Sequence, residues 1–191
     1  MLDYPNYWGV AGYPISHSLT PRLFEILGDF LGYGSVKTVF LEAGDADEFF
    51  QRAEKLEGEL WISCTSPLKH SVWKRLGCES EEEIQAVNQL VRMDGEWSVS
   101  NSDGRGFIMA CRHIGVEPGG SILRIRGGGA FPLPAGRQVS ISYDEDWKID
   151  DFAVIMVAAQ HLEAWKKFFS PNKIEKLPSL IELLELLEER H

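Results

Sequence analysis

Between Tyr7 and Cys64 the chain alternates strand, helix, strand, helix, strand, and this alternation narrows the fold more than any other feature. Tyr7 to Tyr13 is apolar and broken by glycine, as a buried strand is. Thr20-Pro21 opens a helix, with Thr20 suited to the N-cap and Pro21 to the first helical position. Leu23, Phe24, Ile26, Leu27, Phe30 and Leu31 give it an apolar face, and Gly32 and Gly34 end it. Val36 to Leu41 is the second strand. Asp45 to Glu57 is the second helix, with Asp45 as N-cap and Glu48 three residues on, at capping-box spacing. Leu60 to Cys64 is a third, short strand. Strands joined by helical crossovers predict an α/β fold with a mainly parallel sheet and flanking helices.

Further on, Lys69 to Leu76 and Glu81 to Ala86 read as short helices, and Gly104 to Ile114 as a longer one. Gln89 to Met93 and Trp97 to Ser100 flank Asp94-Gly95, a strong hairpin-turn signal. After Gly115 the pattern changes. Strands are predicted at Ile122 to Ile125 and Gln138 to Tyr143. A long helix capped by Asp150 or Asp151 reaches about Phe169, and a glutamate-rich helix runs from Ser179 to Arg190. The expected organisation is an α/β domain over 1–115, a short segment over 116–150, and helices over 151–191 packing back on the first domain.

With 191 residues, 44% of them hydrophobic, the chain can bury a core without disulfide staples. A net charge of −10 argues against general binding to nucleic acid or anionic lipid, which need a cationic surface. Cys64, Cys78 and Cys111 form no Cys-x-x-Cys pair, so zinc ribbons and redox dithiols are not expected, and free thiols fit the cytoplasm. His113 and His161 have no ligand spacing, so no metal is expected. No cationic flank and apolar run open the sequence, so no leader peptide is expected, nor any membrane-spanning segment.

Ligand sites in open α/β sheets collect at the carboxyl ends of strands. Four polar clusters fall there: Ser16-His17-Ser18, Thr65-Ser66-Pro67-Leu68-Lys69, Ala86-Val87-Asn88, and Asn101-Ser102-Asp103-Gly104-Arg105-Gly106. Hydroxyls, an amide, an ammonium and a carboxylate suit a small polyhydroxylated acid. The hydroxyls can hold its carboxylate, while Asn, Asp and Lys hold its ring hydroxyls.

These clusters resemble those of the shikimate dehydrogenases. Gly12 to Pro21 is similar to that family's opening motif, whose two serines bind the substrate carboxylate; Ser16 and Ser18 take that role here. Ser63-Cys64-Thr65-Ser66-Pro67-Leu68-Lys69 resembles the family's Asn-Val-Thr-x-Pro-x-Lys, with its catalytic lysine. Ala86-Val87-Asn88 resembles Ala-Val-Asn-Thr, and Asn101 to Phe107 resembles Asn-Thr-Asp-Gly-x-Gly-Phe, whose aspartate pairs with that lysine. Met156 to Gln160 is similar to the C-terminal helix whose glutamine touches substrate. The resemblance implies NADPH-linked reduction of 3-dehydroshikimate to shikimate, on the route to chorismate and the aromatic amino acids. In it Lys69 and Asp103 are the acid–base pair, and Ser16, Ser18, Thr65, Asn88 and Gln160 grip the substrate.

The sequence departs from the family at Ser63, Cys64 and Gln89, and above all after Gly115. Where an NADP-binding Rossmann domain is implied, only the 35 residues from Val116 to Asp150 stand, against roughly 100 or more for an ordinary domain. Gly127, Gly128, Gly129 and Ala130 resemble the glycine-rich phosphate turn, but Pro132 and Pro134 follow where its helix should begin. Only seven residues separate Ala130 from Gln138, too few for a crossover helix. The segment reads as a truncated remnant of a Rossmann domain. The alternatives are therefore a shikimate-type ligand-binding protein without autonomous dehydrogenase activity, or a subunit completed by a partner chain or a homodimer mate.

Overall fold

A computed structural model describes residues 4–77, 86–117, 146–168 and 175–190, together with the backbone of 130–132 and 138–140. Five strands form one sheet: β1 (Tyr7–Gly12), β2 (Lys37–Glu42), β3 (Leu60–Cys64), β4 (Gln89–Met93) and β5 (Glu96–Ser100), in the order β2-β1-β3-β4-β5. β1 pairs in parallel with both β2 and β3, whereas β4 and β5 add an antiparallel hairpin. The sheet is thus mixed, with a parallel trio that the alternating pattern predicted. Asp94 and Gly95 carry positive φ values of 50° and 82°, as the tight turn between β4 and β5 requires.

The chain leaves β1 on one side for β2 and returns across it to β3, so α1 (Thr20–Leu31) and α2 (Ala46–Ala53) cover opposite faces. Alternation along β3 divides the core accordingly. Trp61 joins Trp8, Leu23, Phe24 and Leu27 on the α1 face; Leu60 and Ile62 join Phe49, Leu68 and Val72 on the other. α3 (Leu68–Leu76) closes the second face. α4 (Asp103–His113), α5 (Phe152–Phe168) and α6 (Leu180–Glu189) complete the first. Trp165 of α5 lies 4.9 Å, centroid to centroid, from Trp61, and Phe24 lies 4.7 Å from the same ring. Both contacts are edge-on, the arrangement that the ring quadrupole favours. α5 is therefore an integral wall of the core. Gly28 lets α1 lie flat on β1, because a Cβ there would come within 2.1 Å of the Trp8 ring.

The helix expected to reach Glu57 stops at Ala53, and two capping signals are met differently. Asp45 caps α2 by accepting from Glu48 N at 2.9 Å, but the Glu48 side chain returns to Gly44 N rather than to the cap's own N–H. Ser179 and Glu182 make the full reciprocal box at the start of α6. Thr20 is not the N-cap of α1: Leu19 holds that position, and Thr20 is the first helical residue with its hydroxyl directed elsewhere. The expected helix over 81–86 and strand over 122–125 lie outside the described residues apart from Ala86, as do Cys78 and the glycines 127–129.

Candidate active site

The site is assembled at one edge of the sheet, beyond the carboxyl ends of β1 and β3. Thr65 N donates to Ala11 O at 2.9 Å and Tyr13 N donates to Ser66 O at 3.0 Å, which ties the turn after β1 to the turn after β3. Gly12 makes the approach possible. Its φ is 151°, and a Cβ there would meet Thr65 Cγ2 at 2.4 Å and Ser66 O at 2.7 Å. Ser16 is exposed in the first turn, and Ser18 and Thr65 are half-buried.

Lys69 stands in the first turn of α3, where its carbonyl accepts from Val87 N at 3.0 Å and draws Ala86–Asn88 alongside. Its Nζ donates to Asp103 Oδ2 at 2.6 Å. The other carboxylate oxygen of Asp103 accepts from Asn88 Nδ2 at 2.7 Å. Asn88 is 3% exposed, and its Nδ2 also donates to Ser102 Oγ at 3.0 Å while its Oδ1 accepts from Ser102 N at 2.9 Å. Both amide protons of Asn88 are thus engaged by the chain itself. Its work in this arrangement is to hold Asp103, and its Oδ1 also accepts from Ser102 Oγ at 3.4 Å. Asn101 Oδ1 accepts from Asp103 N at 2.8 Å, and Asn101 Nδ2 donates to Ala86 O at 3.0 Å.

Lys69 and Asp103 keep 32% and 31% of their side-chain surface exposed. A pair so accessible adds only about 0–1 kcal/mol to stability. It leaves an oriented ammonium open to an incoming oxygen.

Gln160 reaches the same end of the molecule through Gly106, one turn after Asp103 in α4. A Cβ on Gly106 would lie 2.4 Å from Gln160 Cγ and 2.6 Å from its Cα, so α4 and α5 touch backbone to backbone there. The lysine, aspartate, asparagine and threonine predicted from sequence are brought to one sheet edge, and Gln160 packs one helical turn away.

Sequence reasoning placed Asn101 and Ser102 in the fourth cluster but gave them no role of their own; the Asx-turn pattern of Asn101 two residues before Asp103 N is the signal that could have assigned the first. It also treated Ser63 and Gln89 as separate departures. They are opposed across β3 and β4, and Gln89 Nε2 donates to Ser63 Oγ at 3.0 Å while Gln89 Oε1 accepts from Trp61 Nε1 at 2.9 Å. The two changes form one buried, satisfied polar unit beneath the site.

Cys64 lies behind Lys69. Burial pushes its thiol well above the usual range, with the Lys69 charge opposing more weakly, and burial also raises Cys111. Both thiols are therefore expected to resist alkylation at pH 8 in the folded chain and to react once it is denatured; rapid native-state labelling at Cys64, read by mass spectrometry, would contradict the geometry. Among the described residues no cluster of His, Cys, Asp or Glu suits a metal.

Of the residues expected to hold a nucleotide, only Ala130 is described, and it does not stand at the start of a helix. Ala130 lies in β6 (Ala130–Pro132), paired antiparallel with β7 (Gln138–Ser140) in a separate two-stranded sheet. A pyrophosphate needs a strand leading through a glycine turn into a helix N-terminus. With β7 paired directly back on β6, Ala130 opens no such helix.

Fold and geometry together give an α/β protein with a cluster of polar side chains at a switch point of its sheet. No family model matches the chain. Its sequence is 31% identical over 140 residues to the NADP(+) shikimate dehydrogenase of Alkaliphilus metalliredigens, covering 72% of this chain and 49% of that protein. It is 34% identical over 125 residues to the corresponding enzyme of Rubrobacter xylanophilus, covering 63% and 44%. Among solved structures, Mycobacterium tuberculosis shikimate dehydrogenase aligns at 26% identity and a TM-score of 0.49, over 56% of this chain and 42% of that one. Shikimate 5-dehydrogenase from Listeria monocytogenes, in complex with shikimate and NAD, aligns at 22% identity and 0.49, over 94% and 57%. The chain is a relative of the shikimate dehydrogenases, and it spans about half the length of the curated relatives it matches.

Proposed function

We propose that this chain binds a cyclic hydroxy acid of the shikimate class, with Lys69 as its acid–base group. The observation that carries the reading is the Asn88–Asp103–Lys69 chain of hydrogen bonds, at 2.7 and 2.6 Å, beside the Thr65 turn. Asp103 orients the Lys69 ammonium and balances its charge. A ligand carbonyl or hydroxyl oxygen beside Lys69 then meets a cation that can donate a proton to it or take one back. Ser16 and Ser18 bind the ligand carboxylate, and Thr65, Asn88 and Gln160 face its ring.

The chemistry that a bound nicotinamide supplies in the relatives named above is hydride transfer. The antiparallel pairing of β6 with β7 favours the reading in which this chain keeps the ligand site and does not carry out that half alone. Its site then serves ligand binding, or works with a partner chain.

Calorimetric titration of the purified chain tests this. Shikimate is expected to release heat with a saturable isotherm and NADPH to give none. Lys69→Ala is expected to weaken shikimate about 30–100-fold, the loss of one charge-assisted hydrogen bond of roughly 2–3 kcal/mol. Because about a third of each side chain of the ion pair is open to solvent, the variant's melting temperature should change by only about 1–3 °C. No heat with shikimate, or unchanged affinity in Lys69→Ala, would overturn the assignment. NADPH-dependent reduction of 3-dehydroshikimate by this chain alone would overturn the restriction to binding.

A further inference from the structure

The residue after Gln160 is a histidine sealed from solvent. His161 is 2% exposed and meets Phe24 edge-on at 5.0 Å between centroids. Its Nε2 lies 3.1 Å from Thr20 Oγ1, and its Nδ1 is buried with no hydrogen-bond partner among the described residues. Burial drives its pKa down to about 3, so the ring is neutral and holds one proton. On Nδ1 that proton would be an orphaned buried donor, the rarer and costlier defect; on Nε2 it leaves only a lone pair unmatched. The arrangement therefore selects the Nε2–H tautomer, which donates to Thr20 Oγ1.

Thr20 passes the constraint on. It is 7% exposed, and its backbone N–H donates to Ser18 Oγ at 3.3 Å. With its oxygen already accepting, the Ser18 hydroxyl keeps its own proton for an incoming anion. We propose that His161 is a positioning residue for the anion-binding end of the site, fixing the Ser18 hydroxyl through Thr20 as a donor to the ligand carboxylate. This rests on the reading of Ser16 and Ser18 given under Proposed function. Two consecutive residues of α5 then brace both ends of the site, Gln160 against Gly106 beside Asp103 and His161 against Thr20 beside Ser18.

The test compares shikimate with its methyl ester, which keeps the ring hydroxyls and lacks the negative charge. His161→Phe retains a ring and removes the donor; it is expected to weaken shikimate at least 10-fold and the ester less than 2-fold. His161→Gln, whose amide restores a donor near Nε2, is expected to return shikimate affinity to within about 3-fold of wild type. Nitrogen-15 NMR of the native protein, which needs no variant to fold, should show Nε2 protonated and Nδ1 bare. Equal weakening of both ligands, unchanged shikimate affinity in His161→Phe, failure of His161→Gln to restore it, or the opposite tautomer would each overturn the inference. Wild-type protein that binds no shikimate at all would instead overturn the ligand reading, and this inference with it.

Discussion

Gly106→Ala is expected to lower stability by about 3 kcal/mol, at the upper end of overpacking costs, and to abolish ligand binding at ordinary concentrations. The added methyl would sit 2.6 Å from both the Cα and the N of Gln160. Those atoms belong to the backbone of α5, so no rotamer change relieves the contact; one helix must move off the other. That motion carries Gln160 away from Asp103 and pulls on the Trp165 packing that anchors α5 to the sheet. For a chain of this size the melting temperature should fall by roughly 6–12 °C. Gly104, two residues earlier in the same helix, is the control. A Cβ there meets nothing within 4 Å, so Gly104→Ala is expected to be neutral or to stabilise by about 0.5–1 kcal/mol through helix propensity. Thermal unfolding of the two variants side by side decides the matter: similar behaviour would mean that α4 and α5 do not meet as described.

The second large effect is acid lability. His161 has a folded pKa near 3 and an ordinary value of 6.5 when the chain unfolds. Between those values the unfolded state binds the extra proton, so stability is fully present above about pH 6.5 and is lost as pH falls toward 3. At about 1.4 kcal/mol per unit, the loss from pH 7 to pH 4 comes to about 3 kcal/mol for this one side chain. Urea denaturation at both pH values should show it. His161→Phe, which has nothing to titrate, should lose correspondingly less over the same interval. An identical pH dependence in the two proteins would show that the imidazole is not sealed from water.

What the sequence made legible was local. Asp94-Gly95 specified its turn, Asp45 its helix cap, and the spacing of apolar residues the helices that cover the sheet. The lysine and aspartate of the site were also legible, because each stands where a strand gives way to a turn or helix. What was hidden depends on register. The bond between Gln89 and Ser63 spans 26 positions and exists only because β3 and β4 pair at that offset. Thr20 looked like a cap because Thr-Pro commonly opens a helix; its hydroxyl is instead claimed by a histidine 141 positions away. The second role of Asn88, as the brace of Asp103, was hidden for a related reason. Its residue type suits ligand contact, but the network around Ser102 and Asp103 had already engaged its protons.

The bond from Tyr13 to Ser66 joins turns separated by a whole helix–strand–helix–strand excursion, and Gln160 arrives from farther still. No fragment of this chain brings these turns and Gln160 together, so on the function proposed above affinity for a ligand reports assembly of the fold. A small molecule held there acts as a thermodynamic clamp on the finished topology: at a hundred times its dissociation constant it would shift the folding equilibrium by about 2.7 kcal/mol. Refolding yield in its presence would then rise without any chaperone, drawn forward by mass action alone.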